Sequence, residues 1–148
     1  MIDTINNNYG INPVSITALD GDINYSNKKY LISDDAGNKY IFKVYSDSEE
    51  LVLAKEEQCI LGKVRGNLDF KIPEAVRGIS GDTFISTPDG EAVLLRYIEG
   101  KFIADIDQTT DILLDFGKCI GRLHLELKNQ DHMQKKSRKY PHQSLHYG

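Results

Sequence analysis

The sequence predicts an α+β fold: an antiparallel sheet of about five strands with one packed helix, followed by a C-terminal linker helix. Two observations support this prediction. Short strand-like segments separated by turn residues occupy most of residues 14–98, and a helical period interrupts them after residue 47. A second helical period then runs over residues 109–127. We therefore expect the sheet to come first and the second helix to lead away from it.

The first strands are predicted over residues 14–45. Val14–Leu19 alternates apolar and polar residues and stops at the turn-forming pair Asp20-Gly21. Lys29–Ile32 and Lys39–Tyr45 follow, and the latter is rich in aromatic and β-branched residues. Because the turn-forming pair Gly37-Asn38 lies between them, these two strands are expected to form a β-hairpin.

A helix is predicted from Ser48 to the pair Gly66-Asn67. Ser48 is a candidate N-cap, and Glu49 and Glu50 follow it, where the helix dipole favours acidic residues. Apolar residues then recur at helical spacing. The remaining strand-like segments are Ile72–Val76, Thr83–Ser86 and Ala92–Ile98. The last of them is almost continuously apolar, which indicates a strand covered on both faces.

Composition and charge exclude several function classes. The net charge of −4 gives no electrostatic reason to expect a nucleic acid partner. No apolar run approaches the roughly 20 residues that cross a bilayer, and the N-terminus lacks a signal-peptide pattern. The spacing of the cysteines and histidines matches no metal-binding pattern. We expect a cytoplasmic protein that binds neither nucleic acid nor membrane and that has no metal ligands in this chain.

The triplet Asp115-Phe116-Gly117 has the letters of the magnesium-binding motif of protein kinases, but it lies inside the predicted helix at 109–127. The apolar stripe of this helix consists of Leu113, Phe116, Ile120, Leu123 and Leu127. Asp115 lies about 200° around the helix from the first of these residues, so it is expected to point to solvent. We interpret Asp115 as a surface residue and the triplet as a coincidence.

Five short motifs carry a resemblance to a known family. They are Tyr9-Gly10-Ile11, Gly21 with Asn27-x-x-Tyr30, Tyr40–Tyr45, Leu94–Gly100 and Ile120–His124. Their order and spacing resemble the N-terminal, ATP-binding lobe of the aminoglycoside phosphotransferase family, whose fold is protein-kinase-like. Within that family the chain looks most similar to hydroxylysine-kinase-like and homoserine-kinase-like members. The resemblance covers roughly residues 9 to 128.

Lys43 is the first site residue that the resemblance implies. It lies in the middle of an apolar strand, where a lysine is costly unless it is paired. Strand alternation alone leaves open whether it faces a ligand or water. In the family, a lysine at this position binds the α- and β-phosphates of ATP and is held by a helix glutamate. Glu57 is the expected partner because it shares a helix face with Ile60 and Leu61, and Glu56 is the alternative.

The resemblance also implies two backbone sites for the nucleotide. The turn between the first two strands, with Gly21, Ser26 and Asn27, would contact phosphate oxygens, although the same residues suit a plain hairpin turn. The segment Leu94–Gly100 would be the hinge that binds adenine. By register, the Arg96 carbonyl and the Ile98 N–H would bond the base, and Leu95 would lie behind the ring.

The motifs of a catalytic lobe are missing from the sequence. No H-x-D-x-x-x-x-N motif supplies a catalytic base, and no aspartate motif for Mg²⁺ follows it. We therefore expect residues 1–108 to be a kinase-like lobe, 109–128 a helix toward a C-terminal lobe that is absent, and 129–148 a polar basic tail. No catalytic residue is expected in this fragment.

The function that the resemblance implies is that of the nucleotide-binding lobe of an ATP-dependent phosphotransferase. Its substrate would be the hydroxyl of an amino-acid-like or amino-alcohol compound, and this small molecule would reach the site through the missing lobe. ATP and Mg²⁺ would be the cofactors, with the Mg²⁺ ligands in that lobe. Two alternatives remain open: a noncatalytic α+β binding module, and a kinase-like lobe of a larger fused enzyme. The chain alone is expected to be inactive.

Overall fold

The computed structural model describes residues 1–19 and 27–129. These residues form two compact units. The first contains Met1–Leu61 and Ile72–Glu99, and the second contains Gly62–Lys71 and the chain from Gly100 onward. In the part of the chain that the structure describes, no helix combines the length and the apolar character that a membrane crossing requires.

The first unit is built on a five-stranded antiparallel sheet, so the predicted α+β fold class is confirmed. Its strands are β1 (Pro13–Ala18), β2 (Lys28–Asp34), β3 (Lys39–Tyr45), β4 (Phe84–Thr87) and β5 (Gly90–Arg96). The order across the sheet is β1-β2-β3-β5-β4. β3 is therefore the central strand, paired with β2 on one side and with β5 on the other.

The hairpin between β2 and β3 forms where the sequence predicts it. Gly37 takes a positive φ of 83°, a conformation that glycine adopts without steric cost. One carboxylate oxygen of Asp34 accepts a hydrogen bond from the Asn38 N–H at 2.7 Å, and the other accepts one from the Tyr40 hydroxyl at 3.1 Å. The side chain of Asp34 thus closes the turn and ties it to the start of β3.

One segment predicted as a strand is reduced to a short contact. Residues 72–76 form a single bridge, between Ala75 and Leu95. Val76 N–H donates to the Leu94 carbonyl at 2.8 Å, and Arg96 N–H donates to the Glu74 carbonyl at 2.9 Å. Ile72-Pro73 opens the segment, and proline has no N–H to donate, so a longer ladder is disfavoured here.

A helix that the sequence analysis missed covers one face of the sheet. Helix α1 (Ile2–Tyr9) ends at Gly10, which has a left-handed φ of 65°. Ile5 and Tyr9 lie four residues apart, one helical turn, and both are buried. They belong to the main core cluster, whose other members are Ile32, Tyr40, Phe42, Val44, Ile85, Ala92 and Leu94. Helix α1 is therefore an additional helix on the sheet, beside the packed helix that the sequence predicts.

Helix α2 (Ser48–Val64) packs on the opposite face of the sheet. Its N-cap is Asp47 rather than Ser48, because one Asp47 carboxylate oxygen accepts the N–H groups of Glu49 and Glu50 at 2.8 and 2.9 Å. Ala54 is buried in a second core cluster with Tyr45 and Val93, and four partly buried side chains pack against it: Leu51, Ala75, Phe84 and Leu95. This cluster is smaller than the first.

The second unit contains helix α3 (Thr110–Lys128), whose extent agrees with the predicted 109–127. The Thr109 hydroxyl accepts a hydrogen bond from Ile112 N–H at 3.3 Å and caps the helix. Arg122 forms an ion pair with Asp69, and Asn67 Nδ2 donates to a Glu126 carboxylate oxygen at 2.9 Å. These contacts join α3 to the short segment Gly62–Lys71 of the same unit.

Candidate functional site

A cavity of about 260 Å³ lies between the sheet and helix α2 in the first unit. Strands β2 and β3 form one wall and α2 forms the other. The lining residues are Asn27, Lys29, Lys43, Tyr45, Glu50, Leu53, Ala54 and Glu57. Two cationic and two anionic side chains therefore share a small space with apolar and amide groups.

Strand alternation places Lys43 at this cavity. Tyr40, Phe42 and Val44 are buried in the core under α1, so the intervening residues face α2. Lys43 is half-buried, and its ammonium lies 4.8 Å from the centroid of the Tyr45 ring, two residues along the same face. This cation–π contact stabilises the ammonium beside an apolar core. It therefore offsets part of the free-energy cost of placing a lysine in an apolar strand.

Helical spacing places Glu57 at the same cavity. Glu50, Leu53, Ala54 and Glu57 stand at positions i, i+3, i+4 and i+7 and form one face of α2. Glu56 does not line the cavity, so the geometry favours Glu57 over the alternative partner. Glu50 lies two turns earlier and was not singled out in the sequence.

Lys43 and Glu57 face each other across the cavity without a direct ion pair. In residues 1–19 and 27–129, the Lys43 ammonium and the Glu57 carboxylate are not within 4.0 Å, and Lys43 contacts the Tyr45 ring instead. Glu57 is exposed, whereas Tyr45 is buried. Both side chains line the same cavity, and each is long and has several rotatable bonds.

The pKa of the Tyr45 hydroxyl reflects its burial and the charges that line the cavity. Burial raises the pKa of Tyr45 to about 12, and the negative charges of Glu57 and then Glu50 add to the increase. The phenol is therefore neutral at physiological pH and can donate a hydrogen bond.

Asn27 links the start of β2 to α2. Its side-chain amide donates a hydrogen bond to a Glu50 carboxylate oxygen. Its own Oδ1 is buried and accepts no hydrogen bond from the residues that the structure describes. Of the three turn residues predicted to contact phosphate, Asn27 thus lies at the cavity, while Gly21 and Ser26 fall outside the described residues.

Of the predicted hinge residues, Leu95 and Arg96 end β5, and Ile98 follows the strand. Leu95 is the Cα partner of Ile41, and Val93 is the partner of Lys43, so Leu95 lies on the Lys43 face one pair away. Arg96 N–H bonds to the Glu74 carbonyl, and the Arg96 guanidinium lies 3.5 Å from the Glu74 carboxylate. Within the described ranges, no backbone carbonyl accepts a hydrogen bond from the Ile98 N–H.

Three of the charged or aromatic cavity residues were missed in the sequence: Lys29, Tyr45 and Glu50. Two of them carry a signal that could have found them. Tyr45 follows Lys43 by two on one strand, and Glu50 precedes Glu57 by seven on one helix, so each shares a face with a predicted site residue. Lys29 required the register of β2 on β3, which the sequence does not determine.

The described residues do not form a metal site. Across residues 1–19 and 27–129, no group of three or more His, Cys, Asp or Glu side chains is arranged to hold a metal ion. Asp115 is exposed on α3, and its carboxylate pairs with the Lys118 ammonium at 3.0 Å, one turn along the helix. A hard cation such as Mg²⁺ needs several oxygen ligands, and the two cavity glutamates share their space with two lysines.

Comparison with solved structures finds the same fold in an enzyme. The chain matches the crystal structure of spectinomycin phosphotransferase APH(9)-Ia in complex with ADP and spectinomycin, with a TM-score of 0.70 and 13% sequence identity. The match covers 84% of this chain and 36% of that one, so the chain spans about a third of that protein's length. No curated protein is significantly similar in sequence.

The sequence itself matches a family model over most of its length. Residues 16–145 match the model of the phosphotransferase enzyme family, a range that includes the five strands from the middle of β1 onward and all of α2 and α3. Because this range exceeds half of the chain, the resemblance seen in the motifs is confirmed at the level of the family. The chain belongs to the phosphotransferase enzyme family.

Proposed function

We propose that this chain is the nucleotide-binding lobe of an ATP-dependent small-molecule phosphotransferase. One observation supports the proposal most strongly. Lys43 on the central strand and Glu57 on α2 line one cavity, on the sheet face that also carries Leu95 at the end of β5. A strand lysine paired with a helix glutamate is the arrangement that orients ATP phosphates in kinase-like enzymes.

In this proposal, each end of the nucleotide has its own set of groups. Lys43 binds the phosphates, and Glu57 holds its ammonium toward them. The Arg96 carbonyl and the Ile98 N–H bond the adenine edge, and Leu95 packs behind the ring. The cation–π contact with Tyr45 keeps the Lys43 ammonium at the cavity, in position for the phosphates. The choice of ATP is also consistent with the ADP that accompanies spectinomycin in the complex of the structurally similar enzyme.

The size of the cavity fits the phosphates rather than a whole nucleotide. Its volume of about 260 Å³ is below the roughly 300–1,000 Å³ of pockets that enclose a small ligand. Lysine side chains and an amide suit phosphate oxygens, whereas adenine needs an apolar slot with backbone bonds. The adenine would therefore lie toward Leu95 and the hinge, outside this cavity.

The finer parts of the function rest on the motifs alone. We propose an amino-acid-like or amino-alcohol hydroxyl as the phosphate acceptor, as in hydroxylysine-kinase-like and homoserine-kinase-like enzymes. Mg²⁺ would be held by residues other than the described ones, which form no group suited to it. Because the 148 residues contain no catalytic-loop motif, we expect no phosphotransferase turnover from this chain alone.

Calorimetric titration of the 148-residue chain with ADP tests the proposal. We expect saturable binding, competition by ATP, and a loss of roughly tenfold or more in affinity for Lys43→Met, because a charge-assisted phosphate contact disappears. Lys63→Met is the matched control, since Lys63 is an exposed lysine in the last turn of α2 and is absent from the cavity lining. No ADP binding by the unmodified chain would refute the proposal.

A double-mutant cycle tests the pairing of Lys43 with Glu57. Glu57→Gln alone should weaken ADP binding, and the double variant should be little worse than the weaker single variant, because the two groups act as one unit. The same cycle with Glu50→Gln shows whether the other cavity glutamate takes the role. Additive effects with both glutamates would mean that Lys43 binds phosphate without a helix partner.

A further inference from the structure

Two lysines stand side by side on the cavity face of the sheet. Lys29 on β2 is the Cα partner of Lys43 on β3, and both line the cavity. Residues directly opposite on antiparallel strands have Cβ atoms about 4.5–5.5 Å apart, and like charges in this position destabilise a sheet. The two ammonium groups therefore need anionic neighbours, and the cavity supplies them.

Of the two consecutive lysines at the start of β2, only Lys29 lies on the cavity face. Lys28 precedes Lys29 on β2, and its ammonium pairs with the Asp89 carboxylate at 3.3 Å, with both side chains more than half exposed. Asp89 is not among the cavity residues. Of these two adjacent lysines, one is a solvated surface cation and the other lines the cavity with Lys43.

Opposite the two lysines, helix α2 presents two carboxylates. Glu50 and Glu57 line the same cavity, and Glu50 accepts the amide of Asn27 at the start of β2. The formal charges of these four side chains cancel. An anion that carries several charges can bind both ammonium groups at once, whereas a neutral ligand offers no charge to either.

We propose that Lys29 is a second phosphate-binding residue, which together with Lys43 selects a di- or triphosphate over a monophosphate or a nucleoside. The proposal rests on the proposed function, since it names a further residue of that same site. The polyphosphate lies across the boundary between β2 and β3, with one cation from each strand. The Asn27 side chain adds no charge to this contact, so the two lysines provide the electrostatic attraction for the anion.

The test compares three ligands on the full 148-residue chain: ADP, adenosine and inorganic tripolyphosphate. We expect Lys29→Met to weaken binding of ADP and tripolyphosphate by about tenfold or more, and to leave adenosine binding unchanged. Lys29→Arg should restore most of the ADP affinity, because it keeps the charge. Lys28→Met removes the same charge from the neighbouring residue and should change none of the three affinities.

Salt dependence provides a second measurement that a purely structural role would not change. The affinity for ADP should fall less steeply with salt in Lys29→Met than in the unmodified chain or in Lys28→Met, because one cation–phosphate contact is gone. Thermal unfolding of each variant shows that the fold is retained. Removing one member of the like-charged pair should not lower the unfolding temperature.

The possible outcomes separate this proposal from the proposed function. If ADP binds the unmodified chain and Lys29→Met equally well, the role of Lys29 is refuted and the nucleotide function stands. If tripolyphosphate binds through both lysines, but neither adenosine nor ADP binds more tightly than tripolyphosphate does, the role of the lysine pair stands and the nucleotide-binding function is refuted. Equal weakening of ADP and adenosine by Lys29→Met would assign Lys29 to packing and overturn the proposal. Binding of none of the three ligands refutes both.

Discussion

The two faces of the central strand differ in almost every physical respect. On one face, Tyr40, Phe42 and Val44 are buried against α1 in an apolar core. On the other face, Ile41, Lys43 and Tyr45 lie under α2, and two of these three line a charged cavity. The alternation of a single strand therefore separates an apolar core from a charged cavity within seven residues. We call these the closed face and the cavity face.

This comparison explains why a lysine is tolerated in the middle of the sheet. The closed face supplies the larger core cluster, so the cavity face can hold polar groups without loss of the fold. On the cavity face, the Tyr45 ring contributes to both the core and the cavity. It is buried with Val93 and Ala54, and it also contacts the Lys43 ammonium. Changes on the closed face should therefore affect stability, and changes on the cavity face should affect binding.

The largest expected effect is on the closed face. Phe42 is 1% exposed, and Phe42→Ala should lower the free energy of unfolding by about 3–5 kcal/mol, because it removes a large side chain and leaves a cavity. Ile41→Ala, one residue away on the other face, should cost less than about 2 kcal/mol because Ile41 is only half-buried. Urea denaturation measures both. Equal costs would show that the two faces contribute equally to stability.

The next largest effect is expected from the carboxylate of Asp34, which lies on the same side of the sheet as the closed face. Hydrogen bonds from the Asn38 side chain lower the pKa of Asp34 most, against the opposing effect of burial, and the Asn38 N–H and the Tyr40 hydroxyl lower it further. Because the folded-state pKa lies below the unfolded value of about 3.9, the carboxylate stabilises the fold above about pH 4. This contribution is lost as the pH falls through the folded-state pKa.

Unfolding by urea at a series of acidic pH values measures this contribution. Asp34→Asn should be less stable than the unmodified chain at neutral pH and should lose less stability on acidification. Asp35→Asn is the matched control, because Asp35 is the next residue, is exposed, and bonds only to the Asn12 side chain and backbone among the contacts described. A flattened pH profile in Asp35→Asn instead would place the titrating group outside the turn.

A smaller effect is expected from the ring that holds Lys43. Tyr45→Leu removes the cation–π contact, worth about 0.5–1 kcal/mol, and should weaken ADP binding by roughly two- to fivefold because Lys43 is less well positioned. Tyr45→Phe keeps the ring and should bind ADP nearly as well as the unmodified chain. If Tyr45→Phe is as weak as Tyr45→Leu, the hydroxyl rather than the ring is the functional group.

Much of this fold could be predicted because local sequence signals agree with it. The Gly37-Asn38 hairpin, helix α2 and helix α3 each have turn or capping residues at their ends. Helix α1 has a capping glycine at Gly10 but little else: its sequence contains three consecutive asparagines, which are poor helix formers, and only Ile5 and Tyr9 are buried. It forms because those two side chains complete the closed face, a tertiary effect that a window of eight residues does not reveal.

The candidate site could be predicted only in part, for a similar reason. Lys43 and Glu57 are visible from the family motifs, and strand and helix periods give their faces. Lys29 depends on the register in which β2 pairs with β3. That register is a property of the packed structure. A register shifted by one residue would have brought Lys28 to the cavity in place of Lys29.

The smallest effect is expected at Asp115, which belongs to a sequence motif but not to the cavity. Asp115 belongs to an Asp-Phe-Gly triplet, yet it lies on an exposed helix, with its nearest charged partner one turn away at Lys118. Exposed pairs of this kind contribute little, so Asp115→Asn should change the free energy of unfolding by no more than about 0.5 kcal/mol. Titration of the variant with ADP, with and without Mg²⁺, should match the unmodified chain, in contrast to Lys43→Met.

A large loss of binding that depends on Mg²⁺ would instead identify Asp115 as a metal ligand. In that case the triplet, and not the cavity face of β3, would be the better guide to the chemistry of this chain.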